Sequence, residues 1–243
     1  MTETSTTPIL YSLRNCPYAM RARLALFAST QQVMLRDVVL TNKPDEMIAA
    51  SAKATVPILV LAQSSGAVKV IDESLDIMLW AFAESDPNDV LHKSVLNKSE
   101  LSQSSSLPNT NLPSTSLHSE MMNLIATFDD EFKECLNKYM AAKRYREDNV
   151  IELRQACEVY LADLEQRLSK HSYFMSDHQS LADLALLPFL RKFARVERQW
   201  YLQAPYPNLR AWLNNYLQSA MFSKVMAKHP LWIDTHEAVL FPG

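Results

Sequence analysis

Cys16 lies where a reactive thiol is expected, between a short apolar stretch and a pattern of helical spacing. A side chain at the start of a helix lies near free backbone N–H groups and the positive end of the helix dipole, which both favour an anion. The thiolate is the nucleophilic form of cysteine. Pro17 suits the first helical turn, where its missing N–H is not needed. The segment therefore predicts a reactive thiol at residue 16.

Two further segments could hold a ligand beside that thiol. Val56-Pro57 opens an apolar stretch, and a cis bond there would leave the Val56 N–H and C=O free to pair with an extended peptide. Glu73 and Ser74 begin the third helical pattern of the chain, whose N-terminus suits a carboxylate while Glu73 can accept from an ammonium group. Each pair alone is also an ordinary strand start or helix cap. A thiol-containing peptide with an amino-acid end satisfies all three segments, and glutathione has this layout.

The hydrophobic pattern predicts the elements that position these residues. In the first 86 residues it favours the order β-α-β-α-β-β-α, with strands at 9–13, 33–40, 57–61 and 68–71 and helices at 17–29, 44–52 and 74–84. From residue 117 helical spacing recurs to about residue 227, and no strand is predicted. The predicted fold class is an α/β domain followed by an all-helical one.

Composition marks the boundary between the two predicted domains. Residues 97–116 are rich in Ser, Thr, Asn and Pro and have no periodicity, which is typical of a loop. We therefore expect a first domain at 1–86, a linker at 87–116 and a helical domain at 117–243. In the last of these, Ser180 and Asp183 form an acidic version of the capping box at a helix start.

Composition also excludes several classes of function. The net charge of −3 argues against a nucleic-acid surface, and the two glycines of the chain cannot form a phosphate loop. No apolar run approaches the ~20 residues of a membrane span. Residues 1–7 lack the layout of a signal peptide, so a cytoplasmic location is expected. Three cysteines argue against a disulfide framework, and no Cys/His pair has zinc-ligand spacing. Cys135 and Cys157 are expected to be buried in helices.

The motifs taken together resemble the cytosolic glutathione transferases, and they are most similar to the omega class, which has a catalytic cysteine. Six segments carry the resemblance in order along the chain: 16–24, 42–44, Val56-Pro57, Glu73-Ser74, 180–183 and 206–212. The resemblance implies a thioredoxin-like domain followed by the all-helical domain of that family. It also implies glutathione as co-substrate, a possible homodimer, and neither metal nor nucleotide.

The resemblance further implies roles for individual residues. Cys16 would form a mixed disulfide with glutathione, and Tyr18 would line the pocket. Lys43 would meet the glycyl carboxylate, and Val56, next to Pro57, would pair with the cysteinyl backbone. The γ-glutamyl end would be held by Glu73 and Ser74.

Two departures from the family pattern are visible. The segment before Val56 usually carries a glycine, whereas residues 51–55 contain none. Residue 19 is alanine, so the second thiol of a Cys-Pro-Tyr-Cys motif is absent and Cys16 cannot close a local disulfide. This predicts a one-thiol route in which glutathione supplies the second thiol.

The leading hypothesis is glutathione-dependent thiol transfer, with a glutathionylated thiol, a small disulfide or dehydroascorbate as substrate. Two alternatives stay open. The chain could conjugate glutathione to an electrophile, using a hydroxyl of Tyr11 or Ser12, or it could be a regulatory protein that binds glutathione without turnover. The basic side chains near the thiol either add positive field or are solvated helix residues or members of ion pairs: Arg14, Arg21 and Arg23. Five aromatic residues could either line a site for the second substrate or pack in the core: Phe128, Phe132, Phe193, Trp200 and Trp232.

Overall fold

A computed structural model of the protein describes residues 7–62, 67–92 and 115–243. The predicted hairpin loop and most of the predicted linker lie outside the described residues. The chain divides into two compact units, one formed by Met1–Asn88 with Tyr216–Gly243 and the other by Asp89–Asn215. No helix in the described part is both long and apolar enough to span a membrane.

The elements follow one another as strands and helices in the first part of the chain and as helices in the second. The first part contains β1 (Ile9–Ser12), α1 (Pro17–Ala28), β2 (Val33–Asp37), α2 (Asp45–Ala50), β3 (Ile58–Ala62), β4 (Val68–Ile71) and α3 (Ser74–Glu84). The second contains α4 (Thr115–Thr127), a π-helical turn (Phe128–Phe132), α5 (Lys133–Tyr145), α6 (Val150–Leu168), α7 (Leu181–Ala194), α8 (Arg198–Gln203) and α9 (Pro207–Leu217). The chain then forms α10 (Ala220–Val225), α11 (Trp232–Thr235) and β5 (Val239–Phe241).

The first unit is built on a five-stranded sheet with the order β4-β3-β1-β2-β5. β1 and β2 are parallel, and Leu10 lies opposite both Leu35 of β2 and Leu59 of antiparallel β3. These leucines are at most 1% exposed. Burial of each such side chain stabilises the fold by about 1.5–3 kcal/mol. The sheet confirms the predicted β-α-β-α-β-β-α order and places the start of α1 at the end of β1.

The C-terminal strand was not predicted from the sequence. β5 pairs antiparallel with β2, so that Val239 lies opposite Leu35 and Phe241 opposite Val33. A strand of three residues is too short to give a periodic signal, and its pairing depends on the free edge of a strand about 200 residues earlier. Expecting only helices after residue 116 was therefore wrong for this segment, which belongs to the first compact unit.

The capping box predicted at Ser180 is present at the start of α7. Asp183 is fully buried, and its Oδ2 accepts from the Ser180 N–H at 2.9 Å and from the Ser180 hydroxyl at 2.6 Å. Its Oδ1 accepts from the Phe174 N–H and from Nε1 of Trp212, each at 3.1 Å. One carboxylate thus joins the helix start to two other segments of the second unit.

Glu197 forms a second polar junction in the helical unit. Its carboxylate accepts from the hydroxyl of Tyr139 at 2.8 Å, from Nζ of Lys143 at 2.8 Å and from Nη1 of Arg154 at 2.9 Å. Burial alone would raise the pKa of Glu197, but the hydrogen bonds from Lys143, Tyr139 and Arg154 outweigh it and lower this pKa to about 2. The charged form of Glu197 is therefore the stabilising one.

Replacing Glu197 by glutamine is expected to lower the free energy of unfolding by about 2 kcal/mol at neutral pH, because charge-assisted hydrogen bonds are lost. The folded pKa lies below the unfolded value of 4.5, so this contribution is present above that pH and is lost as the pH falls toward about 2. Urea denaturation from pH 7 down to pH 3 would measure how the difference in the free energy of unfolding between wild type and variant decreases. Glu134→Gln, which removes an exposed pair with Lys138, is the control and should leave the unfolding midpoint unchanged. A difference in the free energy of unfolding that does not depend on pH would contradict the lowered pKa of Glu197.

Candidate functional site

Cys16 occupies the N-cap position of α1, as the sequence predicts, and its side chain makes no capping hydrogen bond. Its N–H donates to the Leu13 carbonyl at 3.0 Å, and its carbonyl accepts from the Met20 N–H at 2.9 Å. The half-buried thiol lies beside the loop before β3, with Sγ 3.8 Å from the Val56 carbonyl oxygen. The structure therefore brings together two of the three segments singled out in the sequence.

The peptide bond between Val56 and Pro57 is cis, which confirms the prediction made for this pair. The Val56 carbonyl accepts from the Cys16 thiol, and the described residues offer the Val56 N–H no hydrogen-bond partner. The Val56 side chain is 6% exposed and packs in a hydrophobic cluster with Tyr11 and Ile58. A buried side chain thus fixes a backbone segment that can pair with an extended peptide beside the thiol.

Ala54 explains why a glycine is usual before this pair. Its φ of 46° lies in the left-handed region, where a Cβ is unfavourable. Ala54→Gly is therefore expected to raise the free energy of unfolding by about 1 kcal/mol. Ala52→Gly in the same loop, at a residue without positive φ, is the matched control and should give no gain. Urea denaturation of both variants would test this, and equal effects of the two would contradict it.

The start of α3 carries an ionic cluster that the sequence analysis missed. Nζ of Lys53 lies 3.3 Å from Oδ1 of Asp72 and also pairs with Oε1 of Glu73. The hydroxyl of Ser51 donates to Oδ2 of Asp72 at 2.6 Å. The hydrogen bond that Lys53 donates to Glu73 raises the pKa of Lys53, and the one that Ser51 donates to Asp72 lowers the pKa of Asp72. The only signal for this cluster in the sequence was a basic residue, Lys53, in the segment 51–55 that lacks the glycine usual in the family.

Glu73 and Ser74 lie where the sequence places them, with Glu73 as the N-cap of α3 and Ser74 as its first, buried residue. Lys43 is half-buried just before α2, and among the described residues no acidic group forms an ion pair with it. Tyr18 is half-buried in the first turn of α1, with Cζ of Arg21 6.0 Å from its ring centroid. The roles of these residues toward a ligand stay predictions.

The basic and hydroxyl groups around the thiol are more buried than a solvated helix face would be. Arg21 and Arg23 are 1% and 2% exposed, which corrects their interpretation as solvated residues. Arg23 donates to the Ser12 hydroxyl at 2.9 Å. The Tyr11 hydroxyl accepts from Nη1 of Arg36 at 2.7 Å. Both hydroxyls of β1 are therefore engaged in the interior.

The other two cysteines differ from Cys16. Cys157 is fully buried in α6, as predicted, and burial raises its pKa to about 12, so it is a thiol at neutral pH. Cys135 is half-buried in α5 rather than fully buried. Within residues 7–62, 67–92 and 115–243 no group of three His, Cys, Asp or Glu side chains could hold a metal ion.

The predicted aromatic candidates divide between the two units. Phe128, Phe132 and Phe193 are at most 1% exposed and pack on one another, with ring centroids 4.5 Å apart for the first pair and 6.2 Å for the second. They are core residues of the helical unit. Trp232 belongs instead to the cluster beneath Cys16, and Cζ of Arg36 lies 3.8 Å over its ring.

Comparison with known families matches both halves of the chain. Residues 10–89 match the family described as "Glutathione S-transferase, N-terminal domain", and residues 147–215 match "Glutathione S-transferase, C-terminal domain". Together the two matches cover more than half of the chain. The comparison with curated proteins finds no match.

Solved structures with the same fold include several transferases. A glutathione transferase family member from Pseudomonas fluorescens Pf-5, with two glutathione bound, has a TM-score of 0.70 at 13% identity and covers 93% of this chain and 94% of its own. A glutathione transferase from Pseudomonas putida, with one glutathione disulfide bound per subunit, has a TM-score of 0.70 at 14% identity over 94% of each chain. One from Phanerochaete chrysosporium, in complex with oxidized glutathione, has a TM-score of 0.67 at 15% identity over 93% and 96%. At these identities the likeness concerns the fold.

Proposed function

Because the chain belongs to the glutathione S-transferase family, we propose that it is a cysteine-type, omega-like member that catalyses glutathione-dependent thiol transfer through Cys16. One observation carries the proposal. The Cys16 thiol lies at the start of α1, 3.8 Å from the carbonyl of Val56, and the described residues leave the Val56 N–H without a hydrogen-bond partner. The bound glutathione and glutathione disulfide of the two Pseudomonas relatives support glutathione as the ligand.

The proposed reaction proceeds in two thiol–disulfide exchanges. The Cys16 thiolate attacks the glutathionyl sulfur of a mixed disulfide, the substrate thiolate leaves and takes up a proton, and Cys16 becomes disulfide-bonded to glutathione. The thiolate of a second glutathione then attacks the glutathionyl sulfur of this adduct, so that glutathione disulfide leaves and the Cys16 thiolate returns. Ala19 supplies no resolving thiol, which is why the second thiol is external.

The remaining site residues would orient glutathione for this exchange. The Val56 N–H and C=O would pair with its cysteinyl residue next to Pro57, which directs the glutathione sulfur toward Cys16. Lys43 would bind the glycyl carboxylate as a point charge, and Tyr18 would flank the pocket. Glu73 would accept from the γ-glutamyl ammonium, and Ser74 would donate to its carboxylate.

The hydroxyls of β1 favour thiol transfer over conjugation. Conjugation to an electrophile needs a hydroxyl that donates to the glutathione thiolate. Tyr11 is 2% exposed with its hydroxyl bonded to Arg36, and Ser12 is fully buried with its hydroxyl bonded to Arg23. Both hydroxyls are therefore buried and already bonded, whereas Cys16 is only half-buried.

Two assays on the purified protein test the proposal. We expect the protein to reduce a mixed disulfide of glutathione and a small thiol, with glutathione as the reductant, and to show little conjugation of glutathione to an aryl halide. Conjugation without disulfide reduction would overturn the proposal. Glutathione binding in a calorimeter with neither activity would favour the regulatory alternative. Homodimerisation and dehydroascorbate reduction stay predictions of the family resemblance.

A further inference from the structure

Arg23 is a buried cation tied to the segment that carries Cys16. It lies on α1 with a side chain that is only 2% exposed. Its guanidinium donates to two uncharged oxygens, the Ser12 hydroxyl at 2.9 Å from Nη1 and the Arg14 carbonyl at 2.6 Å from Nη2. Its Nε is buried and has no hydrogen-bond partner among the described residues. A buried charge with such partners calls for a physical reason, since burial of a charge is costly.

The two accepting oxygens bracket the turn that leads to the thiol. Ser12 is the last residue of β1, and Arg14 lies two residues before Cys16. The Cys16 N–H closes the same turn by donating to the Leu13 carbonyl at 3.0 Å. The planar guanidinium holds both oxygens at once, so it fixes the strand end and the turn as one rigid piece.

Burial and neighbouring charges act on the Arg23 guanidinium. Burial lowers the pKa of Arg23 to about 10, while the charges of Asp37 and then of Cys16 oppose this shift and Arg14 adds to it. Beyond these groups, His229 faces Asp37, and burial lowers the pKa of this histidine.

We propose that Arg23 is the positioning residue of Cys16, fixing the turn between β1 and α1 and so holding the thiol in the place where it reacts. The proposal rests on the proposed function only in taking Cys16 as the reacting thiol. It assigns to a buried residue of α1 a role in reactivity besides its role in packing.

The test measures the alkylation of Cys16 by iodoacetamide as a function of pH, read on the Cys16 peptide after digestion. In Arg23→Met the rate of alkylation should fall about tenfold at every pH, because the turn that carries Cys16 loses both of its bonds to the guanidinium. In Arg23→Lys, which can still bond one of the two oxygens, the rate of alkylation should fall less. Reaction of Cys16 with oxidised glutathione should nevertheless slow about tenfold in Arg23→Lys, since one ammonium cannot hold both oxygens in the same geometry.

Two further variants separate positioning from stability. Arg36→Met removes another arginine of the same unit, one that bonds Tyr11 and stacks on Trp232, and should lower stability without slowing the alkylation of Cys16. Ser12→Ala keeps Arg23 but removes one of its two bonded oxygens, and should slow the reaction of Cys16 with oxidised glutathione several-fold.

Each outcome decides the question. If Arg23→Met is folded by circular dichroism and reacts as wild type does, or if Arg36→Met slows the alkylation of Cys16 equally, the proposal is overturned. Should Arg23→Met not fold, wild-type rates in both Arg23→Lys and Ser12→Ala would overturn it instead. Failure of the proposed function would give a different result. Wild-type Cys16 would then not react with oxidised glutathione, but its alkylation by iodoacetamide would still show whether Arg23 affects its reactivity.

Discussion

The Cys16→Ser variant is expected to lose glutathione-dependent disulfide reduction by a factor of about 10³ or more, because a serine hydroxyl is not a nucleophile toward a disulfide at neutral pH. The hydroxyl would occupy the same place at the start of α1, where Sγ now lies 3.8 Å from the Val56 carbonyl. Glutathione binding should change little, since the proposed peptide contacts come from other residues. Steady-state reduction of a mixed disulfide and calorimetric binding would measure the two quantities.

Cys135→Ser is the matched control for this prediction. Cys135 is half-buried like Cys16 but lies in α5 of the other compact unit. Its replacement should leave the activity within about twofold of wild type, because a change away from the chemistry has little effect on the barrier. Full activity in Cys16→Ser, or its loss in Cys135→Ser, would show that the nucleophile has been misassigned.

The Asp183→Ala variant is expected to lower the free energy of unfolding by about 3–5 kcal/mol. The substitution leaves four donors without their acceptor, from the Ser180 N–H and hydroxyl, the Phe174 N–H and Nε1 of Trp212. An unsatisfied buried donor costs about 1–3 kcal/mol, and part of this cost is recovered by relaxation. Chemical denaturation followed by circular dichroism would measure the loss. Asp177→Ala, at an exposed acceptor for the Ser172 N–H, is the control and should cost little.

The pH dependence of this effect has a definite sign. Burial raises the pKa of Asp183 to about 6, although hydrogen bonds from Ser180, Phe174 and Trp212 oppose the shift. A group whose folded pKa lies above its unfolded value of 3.8 contributes stability that is fully present below that pH and is lost as the pH rises through about 6. The difference in the free energy of unfolding between wild type and Asp183→Ala should therefore be larger at pH 5 than at pH 8. A gap that grows with pH would contradict this account of the buried carboxyl.

Local sequence patterns predicted the parts of the site that depend on neighbours along the chain. The helix start at Cys16 and the capping box at Ser180 are set within one turn, so residue types at fixed spacing were sufficient. The cis bond before Pro57 was predicted for the same reason, from a proline that opens a strand. These features place the thiol and the backbone proposed to pair with glutathione without knowledge of the tertiary structure.

Contacts between distant segments could not be predicted in this way. The pairing of β5 with β2 joins residues about 200 positions apart. The ion pair of Lys53 with Glu73 and the burial of Arg23 also depend on which segments meet in the folded chain. Arginine is ordinarily a surface residue, so its type favours exposure until its partners are known. The charge distribution behind the thiol therefore required the structure.

The most direct test of the central claim is the mass of the intact protein after incubation with oxidised glutathione. We predict the addition of one glutathionyl group per chain, on the peptide that contains Cys16, and its removal by reduced glutathione. Circular dichroism of the same sample would establish that the fold is intact. A folded protein in which Cys16 stays unmodified, or in which the adduct lies on Cys135, would contradict the account.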